Sequence, residues 1–213
     1  MSSQESATNQ VPVRNRFTVW SKLIGWFGVV GAVANLVGAL GLFWSSRVIA
    51  NPAQSSGAEI ALLLAVDLLV LVGTVSLIIY MISVIMFGVR AAQYLRQRGA
   101  ALRGKPWQFV LSWFVPIMNL VVPAFWLREI AGIVAGANAK ERKSQVTWFW
   151  VTWVLVNAFI GVGVQQPKSQ NDFATMAADV VAVASVLAFA IVPLMLGRAA
   201  FRELNRDLEN FTA

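Results

Sequence analysis

The apolar residues of this chain gather into five runs, residues 20–44, 60–89, 106–127, 146–164 and 176–197, each 19 to 30 residues long. A helix needs about 20 such residues to cross a hydrocarbon core of about 30 Å. Only 13% of the 213 residues are charged, where a soluble domain carries roughly a quarter. The pattern predicts an all-α integral membrane protein. The chain contains neither cysteine nor histidine, so disulfides, thiolate nucleophiles, imidazole bases and the commonest zinc ligands are excluded. No cofactor or metal is expected, and the chemistry points away from an enzyme.

Residues 1–19 are polar, with Pro12, Arg14 and Arg16, and read as a flexible tail. The first run is followed by Val48 and Ala50, which resemble a signal-peptide cleavage pair, but its 25 residues exceed an h-region of about 7 to 15, so it reads as an uncleaved anchor. The second run, 30 residues and about 45 Å long, must tilt or project beyond the bilayer.

Lysine and arginine decide how many runs cross, because positive charge in short loops stays on the cytoplasmic side. With five crossings, 9 of the 17 basic residues lie inside and 8 outside, which is no bias. If residues 106–127 instead enter the membrane and return to the same face, the count becomes 15 inside and 2 outside, Arg47 and Lys168. The expected topology is therefore four transmembrane helices (20–44, 60–89, 146–164, 176–197) plus a re-entrant or shallow hairpin, with both termini cytoplasmic. The alternative for 106–127 is a kinked full span. Pro116 and Pro123 each remove a backbone donor and should break this segment twice, with Asn119 between them at the turn. Tryptophan placement agrees: Trp20, Trp107, Trp126, Trp148 and Trp150 fall at expected cytoplasmic ends and Trp44 at an outer end, where indoles anchor in the interface.

The hairpin carries a more specific pattern, Trp113-Phe-Val-Pro116-Ile-Met-Asn119-Leu, then Pro123 and Trp126-Leu-Arg-Glu. With Tyr94-Leu-Arg96 and Gly99-Ala100 upstream, the Pro106-Trp107 pair, and Trp148-Phe-Trp150 with Trp153 downstream, it resembles a bacterial family catalogued as domain of unknown function 4328, over roughly residues 60 to 200. The chain departs from that family's pattern at Val121 and Val122, where an aromatic and a basic residue are common. The resemblance implies a multi-span protein of the bacterial plasma membrane with a polar cytoplasmic tail, and implies no activity.

Asp67 and Asp179 are the carboxylates inside the expected spans, near the outer ends of their helices. An ionisable group in hydrocarbon is unfavourable by about 2.5 to 3.5 kcal/mol on insertion scales, so the two form a candidate polar or ion site, extended by Asn35 and Asn157. Hydration at the outer interface, or plain interhelical hydrogen bonding for the asparagines, is the competing reading. Gly28, Gly31, Asn35 and Gly38 form one small-residue stripe on the first span, and Ala178, Ala182, Ser185 and Ala188 another on the last; they should pair within one chain or mediate a homo-oligomer. Arg90, Arg96, Arg98, Arg103, Lys105, Lys140, Arg142 and Lys143 are candidates for contact with anionic lipid headgroups. The formal charge of +7 invites nucleic acid as a partner, but no aromatic platform or binding motif accompanies it, and none is expected. Residues 198–213 should form a cytoplasmic amphipathic helix with Phe201, Leu204, Leu208 and Phe211 on one face. Two functions fit: a scaffold or accessory subunit acting through a membrane-protein partner or homo-oligomer, and a small proton or cation transporter built on the hairpin and the two aspartates.

Overall fold

The computed structural model describes residues 14–50, 56–163 and 173–211. All regular structure among them is helical: α1 (Arg14–Ala50), α2 (Gly57–Gln97), α3 (Pro106–Ser112), α4 (Pro116–Val134), a 3-10 turn (Gly136–Asn138), α5 (Ala139–Gly163) and α6 (Phe173–Asn210). Two stretches among the described residues, Phe17–Trp44 and Gly57–Gln97, are long and apolar enough to cross a membrane. Helix α1 is central and packs along both α6 and α2; α5 packs on α6 and on α4.

Several boundaries differ from the expected ones. Helix α1 begins at Arg14, inside the segment expected to be a flexible tail. Phe17 explains this, since it is fully buried and meets the edge of Tyr94 with ring centroids 5.3 Å apart. Helix α2 runs to Gln97, so Arg90 and Arg96 lie on helix and not in a loop. Burial of Ala91, Ala92, Tyr94 and Leu95 holds these extra turns in place. The helix then stops at a glycine: Gly99 takes φ +79°, its N–H donates to Arg96 O and the Ala100 N–H to Leu95 O, each at 3.0 Å. This is a Schellman termination, which requires the left-handed conformation that glycine adopts at least cost. At its other end, the Ser56 and Glu59 side chains cap each other's backbone N–H groups.

Residues 106–134 form two helices joined by a tight turn, and the turn lies before Pro116 and not between Pro116 and Pro123. Helix α3 ends at Ser112, residues 113–115 form the turn, and Pro116 is the first residue of α4. There its missing N–H removes nothing, because no helical partner would exist. Pro123 lies within a continuous α4, buried, and does not break it. Neighbouring helices sustain a proline of this kind inside a packed bundle. Arg103 N donates to Glu129 Oε1 at 3.0 Å, so the two arms of the hairpin open at the same end.

That end, called basal here, also holds the start of α1, the end of α2, the start of α5 and the end of α6. Thr18 donates to Glu209 at 3.2 Å, Arg98 to the Phe211 carbonyl at 2.7 Å, and Arg142 to Asp207 at 2.8 Å. Helix α6 runs unbroken to Asn210, and its last turns bury Phe201, Leu204 and Leu208 against the other helices. The distal end carries a separate small cluster of Ala39, Leu42, Val66 and Val70.

Candidate functional site

Of the residues singled out as a polar site, the side chains of Asp67 and Asn35 are described, and the two stand in different surroundings. Asp67 is exposed on α2. Its neighbour Val66 faces Gly41, where an added Cβ would come within 2.5 Å of it, and Val70 faces Gly38. Asp67 is thus level with Gly41, less than one turn from Trp44. Nineteen residues of helix separate Lys22 from Gly41, about 29 Å, which is close to the thickness of a hydrocarbon core. A bilayer that begins at Lys22 would therefore end at the level of Asp67. Asn35 is buried, with its Oδ1 against Gly73 and no hydrogen-bond partner. The side chains of Asn157 and Asp179 lie outside the described ones, as do those of Pro116 and Asn119 in the hairpin.

The glycine stripe of α1 lies in the groove between α2 and α6. A Cβ on Gly28 would meet Leu194 O at 3.4 Å and the Tyr80 ring at 3.5 Å, and one on Gly31 would meet Leu194 and Ser76. The pairing of α1 with α6 is as expected, but Gly28 and Gly31 meet Leu194 and Arg198, beyond the small-residue stripe foreseen on α6. In that stripe Ala182 is exposed and Ser185 half-buried, while Ala178 and Ala188 lie outside the described side chains.

The hairpin signature makes one connected set of rings. Trp126 stacks on Phe109 at 5.4 Å, Phe109 meets the edge of Trp113 at 6.1 Å, and Trp113 meets Trp150 of α5 at 5.2 Å. From Trp150 the contacts continue to Phe149, then to Phe201 of α6 and Phe87 of α2. Gly88 admits Phe109, and Gly104 admits Trp126, each where a Cβ would come within 2.6 Å of the ring. Trp113 therefore fastens the hairpin to α5 and Trp126 fastens α4 to α3, and Trp126 and Trp150 are core residues and not interface anchors. Composition places an indole near a helix end, but the face it takes depends on the neighbouring helix. Trp107 and Trp148 are exposed, as an anchoring role requires.

Not all eight basic candidates are free to contact lipid. Arg142 is 12% exposed and donates to Asp207 at 2.8 Å and Glu203 at 2.9 Å, clamping α5 to α6. Its hydrogen bond to Asp207 is the chief cause holding the guanidinium above its ordinary pKa; burial opposes this, and the charges of Asp207, Glu203 and Glu141 add to it. Arg98 lies over the Tyr94 ring at 4.7 Å besides bonding the Phe211 carbonyl, and Arg96 donates to Gly104 O. The Lys143 stem lies on Gly132 of α4. Arg103, Lys105 and Lys140 remain exposed, and Arg90 is half-buried beside Gln93.

The described structure also holds a basic cleft that the sequence reading did not assemble. It occupies about 430 Å³ between α1 and α6 at the basal end. Lys22, Arg198 and Arg202 line it, and among the described residues none of the three has an acidic partner. Thr18, Ser21 and Asn205 add polar groups, and Trp26 and Val29 continue the cleft along α1 toward the apolar part of that helix. Gly25 leaves the space open, with nothing within 4 Å of a Cβ built there. The signal was present as spacing: Thr18, Lys22, Gly25 and Val29 share one helix face, and Arg198 and Arg202 are four residues apart.

No curated protein and no solved structure matches the chain. The family model described as Domain of unknown function (DUF4328) matches residues 53–206, which takes in α2, the aromatic hairpin, α5 and almost all of α6. The chain belongs to that family.

Proposed function

We propose that this is a multi-pass protein of the bacterial plasma membrane, with four crossings, a re-entrant hairpin and cytoplasmic termini, that works by binding and not by catalysis, as a scaffold or accessory subunit. The observation that carries the reading is the filled interior. Tyr80, Phe87, Phe109, Phe149 and Phe201 are fully buried and belong to one cluster with Trp113, Trp126 and Trp150, so among the described residues this part of the interior is occupied by rings, which favours binding over passage. Asp67 lies on the outer surface of α2, away from that interior, which tells against a cation path through it. Large apolar side chains such as Leu64, Leu68, Leu71 and Ile78 face outward on the same helix, a surface suited to lipid or to another membrane helix.

Membrane fractions extracted in gentle detergent and resolved by mass spectrometry test the binding role. A stoichiometric membrane-protein partner or a defined homo-oligomer is expected. A strictly solitary chain that moves protons or cations when reconstituted in liposomes would overturn the reading.

A further inference from the structure

We propose that the cleft between α1 and α6 binds the phosphate of an anionic phospholipid, with Lys22, Arg198 and Arg202 around the headgroup and Trp26 and Val29 beside the start of its acyl chains. Three cations with no acidic partner among the described residues converge on one cavity from two helices that are distant in sequence. Such a grouping is unfavourable by mutual repulsion when empty, and a phosphate oxygen set is the ligand that relieves it; arginine in particular matches phosphate geometry with paired donors. The apolar part of the lining identifies the rest of the ligand. Trp26 lies one helical turn further along α1 than Lys22, is 69% exposed, and is followed by Val29 and the exposed Val30 and Val33. A soluble phosphate ester would leave that strip bare, whereas a lipid whose headgroup sits at Lys22 lays its glycerol and first methylenes along it. Lys22 and Trp26 thus stand in the order, cation and then indole, that an interface imposes from water inward. Asn205 at the polar end of the cleft has a buried Oδ1 without a donor and gives its amide N–H to Glu209 at 3.0 Å. That end favours a headgroup that brings hydroxyl donors, as a glycerol headgroup does.

The inference rests on the membrane reading, and the two can fail separately. Protein that stays monodisperse without detergent would refute the membrane reading; detergent-dependent protein without lipid preference would refute only this one. The full chain, stripped of lipid in mild detergent, is titrated with phosphatidylglycerol, phosphatidylcholine of the same acyl chains, or glycerol phosphate, and bound lipid is counted by native mass spectrometry. Phosphatidylglycerol is expected to bind at least tenfold tighter than phosphatidylcholine, and glycerol phosphate not to displace it. In Lys22→Gln/Arg202→Gln, both exposed positions, the affinity should fall about thirtyfold, from about 1 kcal/mol per basic residue. Arg128→Gln/Arg206→Gln, which removes the same charge at exposed positions that do not line the cleft, should leave it within about twofold. Equal losses in the two double variants, no preference among lipids in the wild-type chain, or displacement by glycerol phosphate would each overturn the proposal.

Discussion

At the basal end, rings and ion pairs draw α1, α2, α5, α6 and the hairpin together, whereas the described distal packing is a small cluster of Ala39, Leu42, Val66 and Val70. The difference is one of chemistry as well as size. Aromatic edges and charge pairs have preferred geometries, so the basal contacts specify how helices are set against one another. Glycine and alanine contacts bring backbones close without such directional demands, and they tolerate lipid or another helix alongside. Stability should therefore be concentrated at the basal end, and adaptability at the distal one.

The comparison is broken most directly at Trp113. Trp113→Ala removes the ring that joins the hairpin to α5, and truncation of a buried aromatic typically costs about 3 to 5 kcal/mol. A large fall in melting temperature in detergent is expected, with the hairpin region becoming susceptible to protease first. A variant as stable as the wild type would mean that the hairpin is held by something other than its signature rings.

A smaller effect is expected at the α5–α6 clamp. Arg142→Met strands Asp207 and Glu203, which are 16% and 34% exposed, and should cost about 2 to 4 kcal/mol, toward the lower end of what breaking a buried pair does. Neutralising the carboxylates in the same chain, with Asp207→Asn and Glu203→Gln, should restore part of the loss, because the penalty comes from unpaired charge. Unfolding curves of the single and triple variants decide this; no recovery would show that Arg142 acts through packing alone. The guanidinium's raised pKa keeps the sign simple: its charge would be lost only as pH rises through a value above the ordinary arginine range, so alkaline buffer up to pH 10 should leave the clamp intact.

The smallest effect is expected in the glycine-lined groove of α1. Asn35 is buried with its Oδ1 unpartnered, so Asn35→Ala removes no protein hydrogen bond from that oxygen and should change stability by no more than about 0.6 kcal/mol in either direction. A loss of several kcal/mol would reveal a partner for the oxygen and make Asn35 a site again.

The parts of this architecture that were legible are local patterns, which a sequence displays openly. The start of a helix at Pro106 followed from a proline-led apolar run, the continuation of the last helix beyond Gly197 from its amphipathic spacing, and the family from the motif between Trp113 and Glu129. Facing was not legible. Trp126 and Trp107 look alike as indoles near a boundary, yet one stacks on Phe109 and the other is exposed, because only the partner helix decides. Arg142 and Lys140 look alike as basic loop residues, yet one is enclosed by carboxylates of a helix more than sixty residues away. Pro123 reads as a helix breaker by itself and sits within α4, since a packed bundle can satisfy the carbonyl that a proline frees. The Lys22, Arg198 and Arg202 cleft needed the contact of α1 with α6, which spacing within either helix alone does not supply.

The central claim is that the basal end, hairpin mouth included, lies on one side of the membrane and the start of α2 on the other. Single cysteines at Ser144 and Ala58, both exposed and introduced into a chain with no native cysteine, test it directly with a membrane-impermeant thiol reagent on intact cells. The account predicts labelling at position 58 and none at position 144 until the membrane is opened. Labelling at both positions in intact cells would give residues 106–127 a full crossing and contradict it.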